Sequence, residues 1–152
     1  MLSTYGGEER QSRMIQWHPS LASGHPEIDG QHQEIFRRLA DLVAALERGR
    51  RDEIPRLFDF LGDYVVSHFG AEERAMASSA YPGAGVHAAA HARFLREYGE
   101  LRTLYGATGP SFAIAVKTAT WVQDWLKSHI YAADRALARH LRESGGEEDA
   151  AP

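Results

Sequence analysis

Seven donor side chains are spread over four helix-like segments of this chain, at depths that match only if neighbouring segments run in opposite directions. They are His32, His68, Glu72, His87, His91, His129 and Asp134. On the first and third segments they lie within two turns of the N-terminal end. On the second and fourth they lie in the C-terminal half. With a rise of about 1.5 Å per residue, antiparallel packing gathers all of them into a layer on the order of 10 Å deep. A random scatter of histidines would not share a layer.

The segments themselves are read from apolar residues at three- and four-residue steps. Asp29 is placed to cap the first, which carries Ile35, Phe36, Leu39, Leu42, Val43 and Leu46 and stops at Gly49. Asp52 can cap the second, with Pro55 tolerated in its first turn. Its apolar face holds Leu57, Phe60, Leu61, Tyr64, Val65, Phe69 and Met76. Tyr81-Pro82-Gly83 breaks the chain before a third segment running from about Gly85 to Tyr105. After a turn at Gly106 to Gly109, Pro110 opens a long fourth segment that ends near Ser144-Gly145. There is no strand pattern and no internal repeat.

Short connections between helices make antiparallel neighbours. The predicted fold is therefore all-α, an up-down-up-down four-helix bundle behind an N-terminal loop extension. Residues 1–13 read as a flexible extension, 14–144 as the bundle, and 145–152 as an acidic disordered tail. The chain of 152 residues suits one domain, and an apolar content of 43% can fill its core.

Composition narrows the partners. A net charge of -4 with no basic run argues against nucleic acid. No apolar stretch reaches the length of a membrane span. The first ten residues hold Glu8 and Glu9 and no apolar region, so a secretory signal is not expected and the cytoplasm is the expected location. Cysteine is absent, which leaves any metal to nitrogen and oxygen ligands.

The donor set has the chemistry of a pair of metal ions. His68 and Glu72 are four residues apart, as are His87 and His91, so each pair shares a helix face. His129 and Asp134 are five apart, about 140° on a regular helix, and a π-bulge between them would bring the aspartate round. Five imidazoles, two bridging carboxylates and one bridging oxide or hydroxide fall one bond short of filling two octahedral ions. That leaves a place for a small ligand.

With Ile28-Asp-Gly-Gln-His32, His68-Phe-Gly-Ala-Glu72, His87-x-x-x-His91 and His129-Ile-Tyr-Ala-Ala-Asp134 in this order, the chain resembles the hemerythrins, in particular the single-domain bacterial ones, from Trp17 to about Asp134. The resemblance implies two non-haem iron ions bridged by oxide or hydroxide and by Glu72 and Asp134. His87, His91 and His129 would ligate the six-coordinate iron, His32 and His68 the five-coordinate one. It further implies reversible O2 binding, with no catalytic residues. Ile35, Phe36, Phe69, Trp125, Leu126 and Ile130 lie beside ligands or a turn away, and would wall the O2 pocket. The chain departs from the usual pattern in a longer N-terminal extension and in Gly24-His25-Pro26, where an apolar residue commonly follows the glycine.

Plainer roles suit the remaining residues. His18, His25 and His140 read as surface or loop histidines, Glu73 as a solvated or supporting acid, and Trp121, Tyr64 and Tyr98 as packing. Arg135 and Arg139 suit the negative end of a helix. An O2 carrier, store or buffer leads the functional readings. A sensor acting through a signalling partner, a di-iron peroxidase or nitric-oxide-handling enzyme, and simple metal storage compete with it. An O2-consuming enzyme is a natural recipient. Each chain completes its own site, so a monomer is expected. Zinc or copper could compete for such a site.

Overall fold

Apolar stripes on long helices set the architecture. The computed structural model of the chain describes residues 16–109 and 111–149. The extension expected over 1–13, the expected helix opener Pro110 and residues 150–152 lie outside the described residues. Helix α1 spans Pro26–Glu47, α2 Ile54–Ser78 and α3 Ala84–Thr108. The last rod consists of α4 at Phe112–His129, a π-helical turn at Ile130–Asp134 and α5 at Arg135–Asp149. A 3-10 turn, Pro19–Leu21, precedes α1. Helices α2 and α4 each pack against both α1 and α3. This ring of neighbours is the antiparallel four-helix bundle that the sequence predicts.

Several boundaries differ from the expectation. Helix α1 starts at Pro26, because proline suits a first turn and His25 caps it by accepting the Ile28 N–H at 3.4 Å. Asp29 is therefore inside the helix. It accepts from the Ser23 N–H at 2.7 Å and the Ser23 hydroxyl at 2.8 Å, and so holds the lead-in against the helix. Glu53, not Asp52, occupies the N-cap position of α2, with no side-chain capping bond. Gly49 ends α1 as expected, at φ 69°. Helix α3 runs on to Thr108 before Gly109 turns the chain at φ 78°. Helix α5 continues to Asp149, so residues 145–149 of the expected disordered tail are helical.

Among the described residues, two apolar clusters of very different size divide the interior. The large one fills most of the bundle and includes Leu39, Leu42, Phe58, Leu61, Phe94 and Val122. The small one is Ile28, Met76, Leu137 and Ala138, with Tyr81, Ala84 and Leu141 against it. The lead-in ties to the last rod through carbonyl oxygens. Tyr131 and Arg135 both donate to the Ser20 carbonyl, and Arg142 donates to that of Ser23 at 3.1 Å.

Gly62 marks the tightest helix contact. A Cβ there would stand 2.7 Å from Tyr98 Cε1. The ring cannot retreat, because it stacks on Phe58 at 4.8 Å and its hydroxyl donates to the Phe58 carbonyl at 2.6 Å. Gly62→Ala is therefore expected to destabilise the fold by about 1–3 kcal/mol, despite the usual helix gain from alanine. Gly99 has open space around its missing side chain, so Gly99→Ala should stabilise by about 0.5–1 kcal/mol. Urea denaturation of both variants checks the opposite signs.

Candidate metal centre

Each helix delivers its donors one turn above the small apolar cluster, so that cluster forms a floor under them. Ile28 lies a turn below His32, Met76 a turn below Glu72, Ala84 a turn below His87 and Leu137 a turn below Asp134. The large cluster covers the other side. All seven donors predicted from the sequence are buried as a result, with His32 and Asp134 at 0% exposure and Glu72 at 2%.

The seven meet in two groups that share both carboxylates. One is Glu72, His87, His91, His129 and Asp134; the other is His32, His68, Glu72 and Asp134. In the first, His129 Nε2 lies 3.0 Å from His87 Nε2 and 3.2 Å from His91 Nε2. Glu72 Oε2 is 3.1 Å from both His87 and His91 Nε2, and Asp134 Oδ1 is 3.1 Å from both His87 and His129 Nε2. In the second, His68 Nε2 is 3.0 Å from Glu72 Oε1 and His32 Nε2 is 3.0 Å from Asp134 Oδ2. Each carboxylate thus turns one oxygen to each group.

These contacts fit a cation better than they fit hydrogen bonds. Glu72 Oε1, both Asp134 oxygens, His32 Nε2 and His68 Nε2 are buried with no hydrogen-bond partner, although atoms of the right kind stand about them. Three imidazole nitrogens facing one another hold at most one proton each, and cannot all bond mutually. Octahedral donors at about 2.1 Å from a shared ion would be about 3.0 Å apart along each edge. That is the spacing found. The cluster can hold metal ions, and its nitrogen and oxygen donors suit first-row transition metals.

The π-turn explains the five-residue step from His129 to Asp134. The Arg135 N–H reaches back five residues to the Ile130 carbonyl. Widening the helix by one residue returns Asp134 to the face of His129, as the spacing predicts.

Charge and burial pull against each other in the cluster. Burial would raise both carboxyls. Contacts to His68, His87 and His91 nevertheless hold Glu72 far below its ordinary value, and His129, His32 and His87 do the same for Asp134. Burial lowers His87, but Asp134 and Glu72 overcome it and push that imidazole up to about 9. Burial lowers His91 despite Glu72, and repulsion from the neighbouring His87 adds to the fall. Without a metal, a proton on His87 offsets part of the buried negative charge.

Ring contacts line this centre. Phe69 lies flat on His91 at 3.8 Å and reaches His68 at 5.9 Å, while Trp125 stacks on His129 at 4.4 Å. Ile35, Phe36, Phe69, Leu126 and Ile130 are all buried in the large cluster, and Trp125 packs against it half-buried.

The sequence reading missed Gln31. Its Oε1 stands 2.6 Å from His68 Nδ1, and since that oxygen only accepts, Nδ1 carries the proton and Nε2 turns its lone pair to the cluster. The one hint was its place beside His32. Of the histidines left out of the site, His18 is exposed and His25 caps α1. His140 is half-buried and bonded to the Ser79 carbonyl at 3.0 Å. Glu73 lies 3.7 Å from His91 Nδ1 and is otherwise solvated. Tyr64 is under Arg38 and Tyr98 is on Phe58, so both pack away from the cluster.

Two outcomes follow from this geometry. Gln31→Leu should weaken metal binding by about 10–100-fold, with the fold retained, as read by competition with a chelator. Metal uptake at neutral pH should expel the His87 proton, so affinity falls as pH drops below about 9. Calorimetry in two buffers of unlike ionisation heat reads the proton; equal heats would contradict it.

Comparison with known proteins gives the same picture. Residues 23–141 match the hemerythrin HHE cation binding domain. Bacteriohemerythrin of Stenotrophomonas maltophilia is 30% identical over 129 residues, covering 85% of this chain and 82% of that protein. That of Methylococcus capsulatus is 33% identical over 107 residues, covering 70% and 80%. A crystal structure of wild-type hemerythrin superimposes with a TM-score of 0.76 at 29% identity, covering 83% of this chain and 96% of that one. With the family domain matched over most of its length and the donors gathered in one buried layer, this chain belongs to the hemerythrin family.

Proposed function

We propose that this chain binds O2 reversibly at a pair of iron ions, as a carrier, store or buffer. One observation carries the reading: the two donor groups share both carboxylates but are unequal, three histidines serving one and two the other. His87, His91 and His129 would ligate one iron, His32 and His68 the second, with Glu72 and Asp134 shared between the two. The second iron has one protein donor fewer, and that is where a small ligand fits. Bound iron supplies the two electrons that O2 takes up on binding and returns on release.

The side chains do the rest. Gln31 fixes the His68 ring so that Nε2 alone faces inward. Ile35, Phe36, Phe69, Leu126 and Ile130, each 3% exposed or less, and the half-buried Trp125 form an apolar wall. None carries an acidic proton, so the wall starves bound O2 of the protons that break its O–O bond. This favours carriage over oxidation chemistry. An O2-consuming enzyme is the natural recipient. A sensing role is the second reading, favoured by the bonds from Tyr131 and Arg135, which flank Asp134, to the lead-in carbonyl of Ser20.

The test is reduction of the purified protein without air, addition of O2, then argon. A visible band that develops with O2 and vanishes under argon is expected, with two irons per chain. Irreversible bleaching, or two zinc ions and no response, would refute carriage. His129→Ala should lose two-metal loading while His140→Ala keeps it, by elemental analysis.

A further inference from the structure

Trp121 and Trp125, four residues apart on α4, both line an open groove of about 560 Å³ beside α3. Ala89, Ala90, Arg93 and Glu97 complete it, and both indoles are half-buried. Behind the groove, rings run in contact all the way to the metal centre. Trp121 stacks on Phe94 at 4.8 Å and 10°, Phe94 meets Trp125 at 4.4 Å, and Trp125 stacks on His129 at 4.4 Å and 14°. Indole is among the side chains that give up an electron most readily, and the chain has no cysteine to compete. Electron tunnelling falls off exponentially with distance, so short steps between touching rings outrun one long step to the surface.

We propose that Trp125 and Trp121 form an electron relay that draws oxidising equivalents from the metal centre to the groove, where a dissolved phenol quenches them. The relay rests on the two-iron reading given above, and the event it answers is hydrogen peroxide reaching the centre. Each peroxide takes up two electrons and two protons; its O–O bond breaks and two waters form. Electrons move singly. Trp125 supplies one to the centre, Trp121 refills Trp125 across Phe94, and a phenol refills Trp121. Each phenol loses one electron and one proton and leaves as a phenoxyl radical. Two phenols are consumed per peroxide, and their protons complete the two waters. Trp125 touches a ligand of the centre; Trp121 acts only through Trp125.

The test uses iron-loaded protein whose metal content and reversible O2 band have first been verified. It is pulsed with hydrogen peroxide without phenol, and its tryptophans are mapped by peptide mass spectrometry. Trp121 should gain oxygen in preference to Trp17, which is also half-buried but off the path. Added phenol should suppress that labelling. In Trp121→Phe, which keeps a ring against Phe94, labelling should shift to Trp125, with the O2 band retained. Equal labelling of Trp17 and Trp121, or Trp121 labelling that is the same in iron-free protein, would overturn the relay. Failure to load two irons or to bind O2 is seen before any peroxide is added, and it ends the two-iron reading together with the relay.

Discussion

Two carboxylates with almost no access to water dictate the rest of this molecule. Burying a charge costs several kcal/mol per ion unless opposite charge meets it, and Glu72 and Asp134 are buried side by side. Five imidazoles converge on them, and a proton on His87 or a metal cation held among them would offset that cost. The π-turn, the Gln31 bond and the apolar layers on both sides are the means of holding seven polar groups in a dry layer. A chain without cations at this position would have every reason to replace these residues with leucine.

Much of this was legible in the sequence because helical periodicity is rigid. Donors at fixed depth on four amphipathic segments fit one layer only if the segments alternate, and the bundle alternates. The five-residue step from His129 to Asp134 could not be reconciled with a regular turn, and the distortion occurs at Ile130–Asp134. What escaped the sequence depends on contacts that carry no local signal. Asp29 has the chemistry of a cap, but Pro26 can open the helix earlier, so His25 takes that place. Arg135 has a sufficient explanation in the helix dipole, yet its guanidinium bonds a carbonyl far away in sequence. The tail is acidic and glycine-containing, and α5 nonetheless runs through it to Asp149.

In the proposed roles, the apolar wall and the aromatic path would serve opposite demands with one shared residue. With iron bound, dry surroundings would slow O–O cleavage and make a strong oxidant rare. When one forms, the same dryness would trap the damage among the ligands. Trp125 belongs to both, with one face against His129 and its other contacts leading outward through Phe94. The proposed relay would give the half-buried indoles beside α3 a role besides packing.

The floor beneath the donors is thin. Four buried side chains close that end, whereas the large cluster fills the rest of the bundle. Helix ends open locally at far lower free energy than whole domains unfold, and one end of this bundle lies beside the predicted ligands. Ions bound there could exchange through local openings that leave the main core intact. How long a metal would stay then depends on those few contacts, and a protein that melts at high temperature could still trade its metal in the cold.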